Sequence, residues 1–174
     1  VKADNIQDAK QQVKMKIEEL YRNNRYLLDS DVFDDDEKLE FRQMNKDVND
    51  AVCSMSVKQL CNYYNRYHKK KVIVLLDEYD TPMQEAYVHG YWDEFTAFIR
   101  SFFNATFKTN PYLERAVMTG ITRVSKQSIF SDLNNLAVVT TTSDRYSTCF
   151  GFTEGEVFDS LDSFGLGASK DDVK

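Results

Sequence analysis

Three carboxylates stand close together, directly after a run of apolar residues. Asp77, Glu78 and Asp80 follow Val72–Leu76, in which every residue is valine, isoleucine or leucine. A carboxylate is the kind of hard oxygen ligand that Mg²⁺ prefers, and a second carboxylate beside it can orient or deprotonate an attacking water. The pattern therefore indicates a magnesium–nucleotide site, with Asp77 serving the metal and Glu78 the water. A purely structural acidic turn is the alternative interpretation, because turns and helix N-termini also favour acids.

The apolar run predicts the strand that would position these acids. Val72–Leu76 shows no polar–apolar alternation, which is typical of a strand buried on both faces of a parallel sheet. Ligand sites in such sheets lie at the carboxyl ends of the strands. A Phe-rich helix is predicted over 92–109 and a second strand over 113–124. Together they form a βαβ unit, which brings residues 119–123 to the same edge as the acids.

Arg123 lies at the polar end of the second predicted strand and would be carried to the acidic edge with it. A guanidinium in that position could contact a phosphate. It could equally neutralise Asp77 or Glu78, and the residues alone leave both roles open.

The remaining elements are predicted from apolar periodicity and capping residues. Asp4 or Asn5 would cap the first helix, Ser56 the third, and Thr153 with Glu156 would form a capping box for the last. Pro82 disfavours helical geometry at the residue before it. The predicted helices cover 4–28, about 34–44, 56–67 and 154–164, and a third, shorter strand covers 137–142.

The composition is that of an ordinary globular domain. The 174 residues are 42% hydrophobic and 29% charged, which supplies enough apolar material for a core. The net charge of −6 argues against nucleic acid as a partner of this chain alone, because duplex binding depends on neutralising phosphates. Three cysteines without metal-type spacing favour reduced thiols and a cytoplasmic protein. No apolar run reaches the length of a membrane span.

Four longer motifs follow one another along the chain: Val74–Met83, Thr119–Lys126, Ser128–Leu136 and Phe150–Glu154. Together they closely resemble those of a bacterial AAA-ATPase-like family. Its members typically carry a P-loop ATPase domain followed by a nuclease-like domain of the PD-(D/E)XK type. The resemblance runs in order and spacing from about residue 55 to residue 160, whereas the N-terminal helices fit only loosely.

The resemblance implies an α/β fold of the P-loop NTPase type, in which helices flank a parallel sheet in three layers. It also implies a site for Mg²⁺ and ATP. Asp77 would be the metal ligand and Glu78 the catalytic carboxylate of a Walker B pair. Residues 1–152 would form a partial ATPase domain, and 153–174 the start of a helical lid or linker. The other residues implied to face the nucleotide are Thr119, Thr122, Asn134 and the catalytic Arg123.

One departure from the family pattern concerns phosphate binding. The sequence contains no G-x-x-x-x-G-K-[ST] segment, no glycine before Gly90 and no Gly-Lys pair. Such a segment supplies the amides and the lysine that hold phosphates. We therefore expect an incomplete fold lacking the first strand and the P-loop, either by truncation or by natural loss.

An incomplete fold has consequences for ligands and partners. Mg²⁺ and ATP would bind in the intact parent protein, and neither is expected on this chain alone. Apolar surface where the missing strand would pack could support self-association. A second hypothesis is a non-catalytic α/β interaction or scaffold module, in which the acidic edge is only structural.

Overall fold

The computed structural model describes residues 2–121, 130, 133 and 136–173. The chain divides into two compact units, Val1–Asn134 and Asn135–Lys174. Short 3₁₀ segments lie at Arg25–Asp29 and Gly167–Val173, and a π-helical turn at Asn104–Lys108. In chain order the helices and strands are α1 Ile6–Asn23, α2 Asp35–Gln43, α3 Asp50–His68, β1 Val72–Leu76, α4 Thr81–Val88, α5 Trp92–Phe103, β2 Leu113–Met118 and α6 Glu154–Ser163.

The two strands form a parallel pair, as the sequence predicted. The amide of Val72 donates to the carbonyl of Tyr112 at 2.9 Å, and the amide of Thr119 donates to the carbonyl of Leu76 at 3.0 Å. Leu76 stands opposite Met118 in the register. Helices α4 and α5 form the crossover, and the predicted βαβ unit is confirmed.

The prediction that β1 is buried on both faces is wrong for the described part of the chain. Val72, Val74 and Leu76 are half-buried, whereas Ile73 and Leu75 are 58% and 76% exposed. Alternate residues of a strand point to opposite faces. The apolar run correctly predicted a strand. Whether a second layer of structure covers its other face depends on tertiary packing.

The described residues show a mixed α/β fold with a small parallel sheet. The three-layer P-loop NTPase arrangement stays a prediction, and so does the predicted division at 152/153.

Aromatic residues on the helices form the core beside this sheet. The buried stripe of α5 contains Phe95, Phe98, Ile99 and Phe102 at helical spacing. On the α1–α3 side, the Tyr21 hydroxyl donates to the Ser56 carbonyl at 2.8 Å in a buried contact. This packing fixes the helices against which β1 lies.

The start of α3 differs from the prediction. Asn49, not Ser56, is its N-cap, and the Asn49 side chain accepts a hydrogen bond from the Val52 amide at 2.9 Å. Ser56 lies buried inside the helix and donates to the Cys53 carbonyl at 2.7 Å. The apolar stripe begins earlier than Val57, because Cys53 is already buried, and this explains the error.

Two further local predictions are wrong. Thr81 is helical, as the first residue of α4, because Pro82 lies in the first helical turn, where its missing amide has no intrahelical partner to lose. Residues 137–142 contain no strand. There the Thr140 amide donates to Ser143 Oγ at 2.9 Å, a local bond that competes with strand pairing.

The second unit contains α6, which begins as predicted. The Glu156 amide donates to Thr153 Oγ1 at 3.3 Å, and the Thr153 amide donates to Glu156 Oε2 at 2.7 Å. This reciprocal pair is a capping box.

Across the described part of the whole chain, no helix combines the length and the hydropathy needed to cross a bilayer.

Candidate functional site at the carboxyl ends of the strands

The parallel pairing brings Asp77 and Thr119 into direct contact. Each follows the last residue of its strand, and those last residues, Leu76 and Met118, face each other. The Thr119 hydroxyl donates a hydrogen bond to Asp77 Oδ1. Backbone pairing continues one step further, since the Tyr79 amide donates to the Thr119 carbonyl at 3.0 Å. The predicted shared edge of Asp77 and Thr119 is therefore confirmed.

Glu78 is tied to both of these residues through its backbone. Its amide donates to Asp77 Oδ1 at 3.1 Å and to Thr119 Oγ1 at 3.3 Å. Its φ of +52° is left-handed, a conformation that costs a side-chain-bearing residue about 1–2 kcal/mol. The hydrogen bonds offset that cost, and the Glu78 side chain remains exposed to solvent.

Asp80, the third acid of the cluster, has a different environment. It is fully buried, and its Oδ2 accepts a hydrogen bond from Gln84 Nε2 at 3.1 Å. Its carbonyl accepts from the Met83 and Gln84 amides at 3.0 Å and 2.9 Å, which starts α4. Asp77 and Glu78 are thus exposed to solvent, whereas Asp80 is buried and stabilises the start of α4.

Gly120 allows this arrangement by the absence of a side chain. A Cβ at this position would lie 2.7 Å from Asp80 Oδ1 and 2.8 Å from Tyr79 Cε1. Both distances are shorter than van der Waals contact. This role was not predicted from the sequence, in which the available signal was a glycine one residue after Thr119.

Asp77 is the described residue best placed to hold a cation here. Its carboxylate is exposed, and the hydrogen bonds from Thr119 and the Glu78 amide both reach Oδ1. Within 2–121, 130, 133 and 136–173, no three His, Cys, Asp or Glu side chains form a metal-binding group. Asp77 would therefore be a single protein ligand, which fits Mg²⁺, an ion that keeps several waters and takes phosphate oxygens.

Three of the predicted site residues lie outside the described part of the chain. These are Thr122, Arg123 and Asn134. The placement of Thr122 and Arg123 at the acidic edge and the nucleotide-binding role of Asn134 stay predictions.

The two cysteines of the first unit are unsuited to nucleophilic chemistry. Cys53 and Cys61 are buried and not in disulfides. Burial raises the pKa of the Cys53 thiol to about 11 and also raises the pKa of Cys61. The thiolate is the reactive form, so these residues act as core side chains.

Comparison with known proteins gives a family and one partial relative. A family model described as "Predicted AAA-ATPase" matches residues 2–130. An "uncharacterized protein in vnfD 5′ region" from Azotobacter chroococcum mcd 1 is 33% identical over 89 residues. That match covers 51% of this chain and 17% of the relative. No solved structure matches the chain.

Proposed function

Because the chain belongs to the predicted AAA-ATPase family, we propose that it supplies the magnesium and water side of an ATP-hydrolysing site. Asp77 binds Mg²⁺ directly or through water. Glu78 orients the attacking water and takes its proton. Magnesium would supply charge neutralisation at the phosphates. The reaction belongs to an intact ATPase that contains this chain, and the matched relative is itself far longer than the matched segment.

The observation that carries this proposal is the hydrogen bond from Thr119 to Asp77 Oδ1 at the strand ends. A partner of this kind fixes the orientation of a metal-binding carboxylate. Since the Thr119 hydroxyl and the Glu78 amide both reach Oδ1, Oδ2 is the oxygen we assign to the cation or its water. Thr119 is a positioning residue on this interpretation.

The contacts with the nucleotide itself come from the family resemblance. Thr122 and Asn134 would bind the nucleotide, and Arg123 would sense the γ-phosphate. A guanidinium suits this role because it offers fixed, paired donors to phosphate oxygens.

The roles of the two exposed acids can be tested by conservative substitution in an intact ATPase that contains this chain. Glu78→Gln should lower kcat by roughly 100-fold or more while Mg-ATP still binds, because a general base contributes about that factor. Asp77→Asn should raise the Mg²⁺ concentration needed for half-maximal rate.

Glu114 provides the matched control, because it is an exposed acid on the same sheet. Glu114→Gln should leave steady-state hydrolysis unchanged. Unchanged hydrolysis by the Glu78→Gln variant would contradict the proposed role of Glu78 in activating water.

A non-catalytic interaction module is the second candidate function. It is favoured by the internal use of Asp77, whose Oδ1 already accepts hydrogen bonds from Thr119 and from the Glu78 amide. In that case Asp77→Asn should lower thermal stability and leave the Mg²⁺ dependence of hydrolysis in the intact ATPase unaltered. Measuring both quantities on the same variant separates the two functions.

A further inference from the structure

An aromatic cluster lies where α3 ends, at the opposite end of β1 from the acids. Tyr26 comes from the short 3₁₀ segment after α1, and Tyr64, Tyr67 and His68 come from the end of α3. The Tyr26 hydroxyl lies 3.2 Å from His68 Nε2. Ring centroids are 4.8 Å apart for Tyr67 and His68 and 5.6 Å apart for Tyr26 and Tyr67. Rings from two separate parts of the chain therefore meet on one surface.

Two of these rings can be reached from solvent. Tyr26 is 42% exposed and Tyr67 is 39% exposed. The two rings meet edge to face, with an angle of 80° between their planes. In such a pair at least one ring keeps both faces clear of its partner, so a flat ligand can stack on it. Apolar residues exposed singly are ordinary on protein surfaces, whereas two adjoining exposed tyrosines form a platform.

Basic residues border the two tyrosines. Arg25 precedes Tyr26, and Lys69 and Lys70 follow α3 directly. All three basic side chains are exposed, and none of them forms an ion pair with another described residue. Asp29, one 3₁₀ turn after Tyr26, is the acid nearest to that tyrosine in the short segment. The cations beside the platform therefore outnumber this acid.

The net charge of −6 belongs to the whole chain and does not decide what this surface attracts. Exposed charges more than about 8–10 Å apart are largely screened at physiological ionic strength. Lysines at the carboxyl end of a helix also complement its dipole, which accounts for Lys69 and Lys70 without a ligand. It does not account for the exposed tyrosines beside them, so the rings carry the argument.

We propose that Arg25, Tyr26, Tyr67, Lys69 and Lys70 form a stacking patch for single-stranded nucleic acid. The two tyrosines stack on bases, each of which offers a π-face whatever the sequence. The three cations contact the phosphates. An acidic peptide would engage the cations and leave the rings unused, and a duplex hides the faces of its bases. A single strand is the class of polyanion that uses both halves of the patch.

Salt dependence tests the cations. Fluorescence anisotropy of a labelled oligothymidylate of about ten nucleotides, within the usual site size, measures binding to the 174-residue chain. Three phosphate contacts predict a slope of about −2 for the logarithm of the binding constant against that of the salt concentration. Replacing both lysines, Lys69→Gln with Lys70→Gln, should reduce the slope to about −0.7. Lys46→Gln, at an exposed loop lysine, should leave it unchanged.

Substitution of the tyrosines tests the rings. Tyr26→Leu and Tyr67→Leu should each weaken binding about tenfold, because stacking on an aromatic ring contributes about that factor for each base. Tyr26→Phe keeps the ring and loses only the hydroxyl that meets His68, so it should bind like the wild type. Tyr87→Leu is the matched control, because Tyr87 is a 75% exposed tyrosine near the end of α4.

An abasic oligonucleotide of the same length separates stacking from charge. It carries the same phosphates without the bases. It should bind about a hundredfold more weakly, because both stacking contacts are lost. Its remaining affinity should not respond to Tyr67→Leu, since no base is left to stack on that ring.

The outcomes separate this patch from a general attraction for anions. Weakening by the leucine variants and by removal of the bases supports the proposal. Equal binding of the two oligonucleotides would show a surface that reads charge alone and would overturn it. Absence of binding at low salt, or binding that survives every patch variant, would overturn it equally. Far-UV circular dichroism verifies that each variant is folded. No measurement uses ATP hydrolysis, so the result is independent of the proposed function.

Discussion

At the scale of single residues, one hydroxyl links Asp77 and Glu78 at the acidic edge. Thr119 donates to Asp77 and accepts from the Glu78 amide at 3.3 Å. It therefore orients the carboxylate and supports the left-handed backbone of Glu78 at the same time. Residues that bond to a metal ligand commonly tune the affinity of the site.

Thr119→Val and Thr119→Ser separate the hydroxyl from the shape of the side chain. In an intact ATPase, the valine variant should raise the Mg²⁺ concentration for half-maximal hydrolysis by about tenfold or more, the usual effect of losing such a partner. The serine variant should restore the wild-type value because it keeps the hydroxyl. Equal Mg²⁺ dependence in all three proteins would contradict a positioning role for Thr119.

Gly120→Ala should destabilise the first unit. The new methyl group would meet Asp80 Oδ1 at 2.7 Å, and Asp80 is fully buried. Overpacking of this kind costs about 1–3 kcal/mol, measurable as a lower urea midpoint. Gly155→Ala is the matched control, because nothing lies within 4 Å of its new Cβ. It should not destabilise, since alanine is the better helix former. A Gly120→Ala chain as stable as the wild type would show that the site can relax.

At the scale of secondary-structure elements, Glu37 joins two helices. It forms the capping box of α2 with Asp34, and its carboxylate pairs with Arg66 of α3. Arg66 also donates to the Val32 carbonyl before α2. The hydrogen bond from Arg66, followed by the Asp34 backbone bond, holds the pKa of Glu37 below its usual value despite opposing desolvation.

Glu37→Gln should therefore lower the free energy of unfolding in a pH-dependent way. Because the folded pKa is depressed, the carboxylate stabilises the fold fully above its ordinary pKa of 4.5. That stabilisation is lost as the pH falls through the folded value. The variant should be roughly 1 kcal/mol less stable at neutral pH, and the difference should shrink below the ordinary pKa in urea titrations.

Glu19→Gln serves as the control for this experiment. Glu19 forms a more exposed pair with Lys16 at 3.5 Å, and such pairs contribute little. A constant difference between Glu37→Gln and wild type from neutral to acid pH would contradict the ionic role of Glu37.

At the scale of the whole molecule, the chain contains some of the groups that the proposed nucleotide site would need and lacks others. The first unit presents the paired strand ends and the acids. The 174 residues contain no glycine–lysine loop for phosphates. Amides of such a loop supply most of the phosphate contacts in P-loop proteins. Carboxylates alone repel the nucleotide's own negative charge.

The chain by itself should accordingly bind Mg-ATP weakly or not at all, and should not hydrolyse it. Isothermal titration of the 174-residue chain with Mg-ATP measures this directly. An intact ATPase containing the same residues and a phosphate loop is the positive control. Micromolar affinity for the isolated chain would contradict the expectation.

How much of this structure can be predicted from the sequence depends on whether the interactions that determine each feature are local in the chain. Capping residues, apolar periodicity and strand-end acids act over a few residues. They predicted the capping box of α6, the parallel pairing of β1 with β2, and the shared edge of Asp77 and Thr119. The prediction was wrong at Ser56, because the buried stripe of α3 already begins at Cys53. It was also wrong over 137–142, where the Thr140 amide bonds to the nearby Ser143 side chain.

The sequence by itself determined which residues could do chemistry and that two strands would carry them to one edge. Only the tertiary structure decided that Asp80 is buried while Asp77 and Glu78 are exposed, that Gly120 must lack a side chain, and that Ile73 and Leu75 lie uncovered among the described residues. The physical reason is that burial and close approach depend on residues distant in the chain. No pattern within the segment Val72–Leu76 reports whether another layer packs on it.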